Sequence, residues 1–282
     1  MKASKKLINK YLPKLIGLRL NSLYRINSSK ALRKAYVLFS SPRRGKVKPE
    51  QEEFLNKAKA TPIECEHKKV QTYHWPGTGR TIILVHGWDS NTHRWKNLIE
   101  LLREEDYNIV AFDAPAQGYS EGKLLNVPLY SKCLDRMLKL YKPEFIIGHS
   151  MGGMTTIYNQ YLKQSPFVKK LVLLGSPSEL NLIMKDYKKI LNLSDKFMIA
   201  LEGYFKDKFG YNFKEFTLTE FGKGVELETL IIHDEYDKVV PVSAAKSIHN
   251  TLRKSTLKIT EGAGHSLNKA DILQDILDFL KQ

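Results

Sequence analysis

Gly148-His149-Ser150-Met151-Gly152 is the stretch of sequence that decides the fold. It directly follows the run Glu144-Phe145-Ile146-Ile147, which predicts a short buried strand, and it precedes a helical segment that begins near Met154. The glycines flank the serine because a turn this sharp from strand to helix leaves no room for side chains at those points. We therefore expect the Ser150 hydroxyl to stand above the edge of a sheet, with a helix N-terminus beneath it.

Further apolar runs predict more strands, and segments with helical periodicity lie between them, chiefly 91–104 and 129–141. The predicted strands are Val70–Trp75, Thr81–Val85, Ile109–Phe112, Phe145–Gly148, Lys170–Gly175 and Leu230–Ile232. Strands that alternate with helices predict an α/β fold, with a mostly parallel central sheet and helices on both faces. Ligands bind such sheets beyond the carboxyl ends of the strands, so the polar and aromatic residues that follow the strands should converge there. They are Trp88, Asp113, Ser150, Ser176 and Asp237.

Two polar residues follow the serine in an informative order. Asp237 lies in Asp237-Lys238-Val239-Val240-Pro241, and His265 lies in Gly262-Ala263-Gly264-His265 near the C-terminus. With His86-Gly87-Trp88 after an apolar strand, this order of serine, aspartate and histidine resembles the α/β-hydrolase superfamily. The resemblance extends from about residue 73 to the C-terminus, apart from an insertion at about 176–226.

The resemblance implies a serine hydrolase that forms an acyl-enzyme. Ser150 would be the nucleophile, His265 the general base and then acid, and Asp237 the carboxylate that orients the imidazole. The backbone N–H groups of Trp88 and Met151 would stabilise the oxyanion, while Gly148, His149 and Gly152 would shape the turn around the nucleophile. The expected reaction is hydrolysis of a carboxylic ester, thioester or amide, with no cofactor and no metal ion.

Each of these assignments has an alternative. Ser150 could be an ordinary helix N-cap, and His265 could be a solvated loop histidine. Asp234 competes with Asp237 for the carboxylate role, but Asp237 precedes Lys-Val-Val-Pro, which is the family's usual context. We therefore expect Asp234 to serve the turn.

Other residues near these motifs are expected to have structural roles. His86 and His149 are interpreted as structural histidines, and Asp113 as an anchor of its loop. The loop at Ala116 and Gln117 is a variant, because the family often has Arg or His there.

The same superfamily leaves other functions open. An aminopeptidase, an acyltransferase or a haloperoxidase-like enzyme is possible, as is a non-catalytic member that uses the fold for binding. Ser150 argues against the haloalkane dehalogenase and epoxide hydrolase branches, whose nucleophile is aspartate.

Charge is unevenly distributed along the 282 residues. The net charge is +15, and residues 1–49 contain fourteen Lys or Arg and no acidic residue, so residues 50–282 are close to neutral. We therefore divide the chain into a basic N-terminal helical arm, 1–49, and an α/β-hydrolase domain, 50–282, with the insertion at about 176–226. No apolar run approaches the roughly 18 residues of a membrane span, and we expect a cytoplasmic protein.

The arm has an apolar stripe with lysines beside it. The stripe consists of Leu7, Ile8, Tyr11, Leu12, Leu15 and Ile16, and the lysines are Lys5, Lys6, Lys10 and Lys14. A basic amphipathic helix of this kind can bind an anionic membrane surface through residues 1–40. Alternatively, it packs on the hydrolase body with its lysines in solvent. Nucleic acid is not an expected partner, and the oligomeric state is left open.

The insertion is rich in aromatic residues, among them Tyr187, Phe197, Phe205 and Phe213. At this point in the family, insertions resemble lids over the active site, and an apolar lid would suit a substrate with an apolar acyl group. The same rings could instead form the insertion's own small core. Two cysteines, Cys65 and Cys133, lie far apart in the sequence and leave a single disulfide open.

Overall fold

The computed structural model describes residues 2–282, with side chains from residue 11 onward. The chain divides into two compact units: Met1–Ser41 with Glu179–Thr217, and Pro42–Ser178 with Leu218–Gln282. The first unit is helical. The second unit contains the sheet and every residue that the sequence predicts for the active site.

The sheet of the second unit contains eight strands among the described residues, in the order β1-β2-β4-β3-β5-β6-β7-β8. These strands are β1 (Lys59–Cys65), β2 (Lys68–Trp75), β3 (Thr81–Val85), β4 (Asn108–Phe112), β5 (Phe145–His149), β6 (Lys170–Leu174), β7 (Glu228–Asp234) and β8 (Ser255–Thr260). β2 pairs antiparallel with both β1 and β4, and all the other neighbours pair parallel. The predicted fold class is confirmed: the sheet is mostly parallel and is flanked by helices.

Most of the helices connect these strands or belong to the first unit; in the second unit, one precedes β1 and one follows β8. The helices are α1 (Lys2–Ile26), α2 (Ser28–Ser40), α3 (Pro49–Leu55), α4 (Lys96–Glu104), α5 (Val127–Tyr141), α6 (Met151–Leu162), α7 (Leu180–Leu191), α8 (Asp195–Phe209), α9 (Leu218–Phe221), α10 (Ser243–Thr251) and α11 (Ala270–Lys281). Within residues 2–282, none of the helices has both the length and the apolar character that crossing a bilayer requires.

The hydrophobic core of the second unit lies between the sheet and the helices that pack on it. The central strands β5 and β6 are buried at every position, because helices cover both faces of a parallel sheet. One helix that covers it is α11, whose Ile272, Ile276 and Leu280 recur at intervals of four residues and are fully buried. Cys65 and Cys133 are buried free thiols.

The structure differs from the sequence-based prediction chiefly at the sheet edges. The two edge strands, β1 and β8, are absent from the prediction because their residues are mostly exposed or half-buried and lack an apolar run. The helix predicted for 91–104 begins instead as a 3-10 turn at Thr92–Trp95 and continues as α4. The helix after Ser150 begins at Met151, three residues earlier than predicted.

The first unit is held together where α1 crosses α7. A Cβ atom on Gly17 would lie 1.6 Å from the Leu191 carbonyl oxygen, so only glycine allows the two backbones to approach this closely. Beside this crossing, Asn21 donates from Nδ2 to the Asn192 carbonyl and accepts from Ser194 N–H, at 3.0 and 3.1 Å. These bonds cap the end of α7 and fix its register with α1.

Aromatic rings from the arm and the insertion fill the interior of this unit. Tyr36 packs edge-on against Phe205 with ring centroids 5.6 Å apart, and Phe39 packs against Tyr187 at 5.3 Å. Within this unit the arm therefore contacts helices of the insertion. That the insertion acts as a lid stays a prediction. Part of the predicted stripe and its lysines, Leu7, Ile8, Lys5, Lys6 and Lys10, lies outside the residues whose side chains are described.

Candidate active site

The turn between β5 and α6 carries Ser150 in a strained backbone conformation. Its φ and ψ are 53° and −122°, a region that non-glycine residues rarely adopt. Ser150 N–H donates to the Leu174 carbonyl at 2.7 Å, which ties the turn to β6. A Cβ atom on Gly152 would lie 2.0 Å from the Val85 carbonyl oxygen, so glycine is required where the turn passes β3. The predicted strand–turn–helix context of the serine is present.

His265 lies 115 residues after Ser150 in the sequence but contacts it in the fold. Its Nε2 lies 3.0 Å from Ser150 Oγ, and its Nδ1 lies 2.7 Å from Asp237 Oδ2. A carboxylate only accepts hydrogen bonds, so Nδ1 carries the proton and Nε2 is free to accept from the serine hydroxyl. The structure thus brings together Ser150, His265 and Asp237, which are far apart in the sequence.

The carboxylate of Asp237 is fully buried and has a second set of partners. Its Oδ1 accepts from Val239 N–H at 2.7 Å and from Val240 N–H at 3.1 Å. These bonds hold the side chain in the loop after β7 and leave Oδ2 for the imidazole. The other buried histidine here, His233, has Nε2 at 3.5 Å from Oδ2 and bonds the Val240 carbonyl instead, at 2.9 Å.

Asp234, the alternative carboxylate, lies in the same region but bonds different groups. It accepts from Tyr236 N–H at 3.1 Å, from the Thr260 hydroxyl at 3.1 Å and from Ala263 N–H at 2.7 Å. Ala263 lies two residues before His265. Asp234 therefore anchors the turn that presents the imidazole, as the sequence predicts, and Asp237 makes the contact with the ring.

His149, the residue before the serine, holds the backbone of His265 through a hydrogen bond. Because a carbonyl only accepts, His149 Nε2 carries a proton and donates to the His265 carbonyl oxygen at 2.7 Å; the two ring centroids lie 4.9 Å apart. Arg94 Nη2 donates to the next carbonyl, that of Ser266, at 3.0 Å. The backbone of the histidine turn is therefore held by two side chains from elsewhere in the fold.

Burial keeps two of the site's histidines uncharged. It lowers the pKa of His149 well below its ordinary value and also lowers the pKa of His86. Since a lowered pKa means that the folded state binds fewer protons than the unfolded state, stability decreases as the pH falls below the unfolded value of about 6.5. Acidification should destabilise the fold through these two rings.

We expect the melting temperature of the chain to fall between about pH 7.5 and about pH 5.5, and to fall less in His149→Asn. Thermal denaturation followed by circular dichroism measures both. His67→Asn is the control, because the His67 side chain is 99% exposed and its positive φ of 56° suits asparagine. An equal fall in His149→Asn and in the unmodified chain would contradict the assignment of His149 as a buried neutral ring.

The loop after β3 carries the peptide group between Gly87 and Trp88. The Gly87 carbonyl oxygen lies 2.8 Å from His86 Nδ1 and accepts from Gln117 Nε2 at 3.2 Å. Ala114 N–H donates to His86 Nε2 at 2.9 Å, so that nitrogen carries no proton and Nδ1 is the donor to Gly87. The carbonyl and N–H of a trans peptide point in opposite directions, so fixing the Gly87 oxygen directs Trp88 N–H away from His86 and Gln117.

This peptide lies beside the serine. A Cβ atom on Gly87 would lie 2.9 Å from Ser150 Cβ. Backbone hydrogen bonds in turns, loops and helix caps do not involve the N–H of Trp88 or of Met151 as a donor, among the residues that the structure describes. The residues that carry the two predicted donors thus follow the neighbouring strands β3 and β5, next to the serine.

Asp113 lies next to this loop and not in the serine's hydrogen-bond chain. It accepts from Thr92 N–H at 2.8 Å, from Tyr119 N–H at 2.9 Å and from the Tyr73 hydroxyl at 3.0 Å. It is fully buried, and its oxygens fix the loops after β3 and β4. Its predicted role as a loop anchor agrees with these contacts.

Comparison with known proteins gives consistent matches. Residues 80–201 match the family model described as the alpha/beta hydrolase fold. The chain is 27% identical to the uncharacterized hydrolase YugF of Bacillus subtilis, with 74% of this chain and 93% of that protein covered. It is 31% identical to phospholipase YtpA of the same organism over 41% of this chain and 46% of that protein. Among solved structures, an esterase from Exiguobacterium antarcticum is similar, with a TM-score of 0.63, 17% identity, and 79% and 99% of the two chains covered.

The matched segment and the shared fold support the α/β-hydrolase superfamily for this chain. Relatives that carry hydrolase, esterase and phospholipase names support hydrolase chemistry for this chain. The predicted fold is confirmed.

Two residues of the candidate site are missing from the sequence-based prediction. The sequence marks Gln117 only as a variant position, yet its side chain is fully buried and bonds both the Gly87 carbonyl and Ser90 N–H, the latter at 3.0 Å. The sequence places Arg94 in a helix, yet it reaches the turn of His265. Gln117 could have been found from the sequence, because it is an amide side chain among small residues in a loop. Arg94 could not, because its partner lies 172 residues away and leaves no local pattern.

Proposed function

We propose that the chain is a serine hydrolase that cleaves a carboxylic ester or thioester through an acyl-enzyme on Ser150. The observation that carries this proposal is the continuous hydrogen-bond chain from Ser150 Oγ through His265 to the buried carboxylate of Asp237. A serine hydroxyl is a weak nucleophile unless an adjacent base accepts its proton, and a base in this position needs a fixed tautomer. Both requirements are supported by the geometry.

In the first half of the reaction, Ser150 Oγ attacks the acyl carbon while its proton passes to His265 Nε2. Asp237 stabilises the imidazolium that forms, through the 2.7 Å bond to Nδ1. The bond between the acyl carbon and the alkoxide or thiolate then breaks, and His265 returns the proton to the leaving group. In the second half, His265 takes a proton from a water molecule as the water oxygen attacks the acyl carbon. The bond between the acyl carbon and Ser150 Oγ then breaks, and His265 returns the proton to Oγ as the acid is released.

The tetrahedral intermediates carry a negative oxygen that needs fixed donors. We assign this role to the N–H groups of Trp88 and Met151. The direction of Trp88 N–H is supported by the two bonds that hold the Gly87 carbonyl, from His86 and Gln117. Met151 is the first residue of α6, so its N–H also benefits from the helix N-terminus.

Gln117→Ala should lower kcat about tenfold and leave KM within about twofold. Removing an oxyanion donor outright costs roughly 100- to 1,000-fold in kcat, and this variant removes only one of the two side chains that hold the Gly87 peptide. Steady-state kinetics on p-nitrophenyl butyrate, together with the melting temperature, measure the effect. Asn91→Ala is the matched control, because buried Asn91 bonds the Lys46 carbonyl and Gln51 and makes no bond to Gly87. An equal loss of kcat in both variants would indicate general loosening of the loops and not a misdirected donor.

We further propose an apolar acyl group. A relative that is named a phospholipase supports this proposal. Rates on p-nitrophenyl esters from acetate to octanoate test it. A rate that falls steadily from acetate onward would exclude a pocket for longer acyl chains.

A fluorophosphonate probe tests the proposed mechanism in one step. The probe forms a stable phosphonyl ester only with an activated serine, and mass spectrometry of the digested protein locates the adduct. We expect one adduct, on Ser150. Folded protein without an adduct on Ser150 would favour the non-catalytic interpretation.

A further inference from the structure

The solvent side of α1 carries an apolar stripe. We call Leu12, Leu15, Leu18 and Ile26 the α1 stripe; these side chains are 49%, 56%, 62% and 85% exposed. Their spacings of three, three and eight residues place them on one side of an α-helix. Large apolar side chains scattered singly on a surface need no explanation, but four on one side of one helix form a patch that does.

The opposite side of α1 packs within the first unit. Gly17 and Leu20 are buried there, and Gly17 lies against the Leu191 carbonyl of α7. The α1 stripe therefore does not contribute to the interior of this unit. The packing of one side of α1 in the unit therefore does not explain why its opposite side is also apolar.

Cations lie beside and within the stripe. At 3.6 residues per turn, Lys14 and Arg25 fall along one border, next to Leu18, whereas Arg19 falls within the stripe, between the positions of Leu12 and Ile26. All three are exposed, and residues 1–49 contain no acidic residue. The whole unit is basic: Met1–Ser41 with Glu179–Thr217 contains 17 Lys or Arg and 6 Asp or Glu, so it carries eleven of the chain's fifteen net positive charges.

We infer that the α1 stripe docks on the surface of an anionic phospholipid bilayer. The helix would lie in the plane of the interface, with its leucines and isoleucine among the acyl chains and its cations at the lipid phosphates. Only this occupant uses both properties of the surface. Nucleic acid would use the cations but leave the leucines in water, and a second copy of the same stripe would bring like charges together.

Co-sedimentation of the full chain with vesicles tests the inference. One set of vesicles contains phosphatidylcholine with about 30 mol% phosphatidylglycerol, and the other contains phosphatidylcholine alone. We expect the chain to bind the anionic vesicles, to bind the neutral vesicles at least about tenfold more weakly, and to lose binding as salt is raised. None of these readouts depends on enzyme activity, so this inference and the proposed function can fail independently.

Two variants separate the apolar and the charged contributions. Leu12→Gln/Leu15→Gln/Leu18→Gln should lower the partition coefficient on anionic vesicles at least about tenfold. Lys14→Gln/Arg19→Gln/Arg25→Gln should lower it by a similar factor and reduce its salt dependence. Leu162→Gln is the matched control, because Leu162 is 55% exposed, much like Leu15, but lies on α6 in the second unit. Circular dichroism and the melting temperature establish that each variant is folded.

Three outcomes would overturn the inference. The first is an unmodified chain that does not bind anionic vesicles, including one that binds double-stranded DNA instead. The second is equal vesicle binding by the unmodified chain and the folded triple-leucine variant. The third is a dimer of the unmodified chain, measured by light scattering, that becomes a monomer in the triple-leucine variant while vesicle binding is unchanged. That last result would make the stripe an interface between copies of the chain.

Discussion

Ser150→Ala is expected to lower kcat for ester hydrolysis by a factor on the order of 10⁴ to 10⁶. Alanine removes the oxygen that attacks the acyl carbon and keeps every contact that shapes the turn. Ser150 N–H still donates to the Leu174 carbonyl, and the Cβ atom beside Gly87 is retained. The positive φ of 53° costs alanine about as much as serine, so the melting temperature should change little.

Initial rates on p-nitrophenyl acetate, with enzyme concentrations high enough to detect slow turnover, measure this loss. The variant should also give no fluorophosphonate adduct. Ser243→Ala, which removes an exposed serine hydroxyl at the start of α10, should behave like the unmodified chain. Turnover within about tenfold of the unmodified chain, with an adduct on another residue, would place the nucleophile elsewhere.

Local patterns in the sequence predict the central part of this fold because the central strands are buried on both faces. A strand such as β5 or β6 is then a continuous apolar run, and a turn that only glycine permits marks where it ends. The edge strands obey no such constraint. In β1 only Cys65 is buried, so its sequence resembles that of a loop, although it pairs with β2 along its whole length.

The same distinction separates the site residues that can be predicted from those that cannot. Ser150, Asp237 and His265 each stand in a local motif, so their order along the chain is informative by itself. Arg94 and Gln117 act through single hydrogen bonds to backbone carbonyls, and any donor of suitable length could supply these. Only the folded chain identifies which donor does.

The packing of the arm shows a further limit of local patterns. The helical spacing of apolar residues in α1 predicts an apolar side, but the structure has apolar residues on two sides of this helix. Leu20 is buried, whereas Leu15 and Leu18, on another side, are exposed. Periodicity alone cannot rank the two sides, because the choice depends on helices of the insertion, far along the chain from α1.

Asp237→Asn is expected to lower kcat by about 10⁴-fold, with the fold intact. The two N–H groups of Val239 and Val240 donate to Oδ1 and require an acceptor there. The amide of asparagine must therefore place its oxygen at that position and its NH₂ group toward His265. An NH₂ group can only donate, so His265 Nδ1 becomes the acceptor and the ring proton moves to Nε2. In that tautomer Nε2 cannot take the proton of Ser150, and the neutral amide does not stabilise an imidazolium.

Asp234→Asn is the matched control for this prediction, and it also decides between the two candidate carboxylates. Because all the partners described for Asp234 are donors, an amide there opposes one of them, and the variant should lose about 1 to 3 kcal/mol of stability. Its kcat, measured well below its melting temperature, should fall far less than that of Asp237→Asn. Combining Asp237→Asn with Ser150→Ala should cost little more than Ser150→Ala alone, because the residues act as one unit. A loss of about 10⁴-fold in Asp234→Asn with near-normal turnover in Asp237→Asn would reverse the assignment.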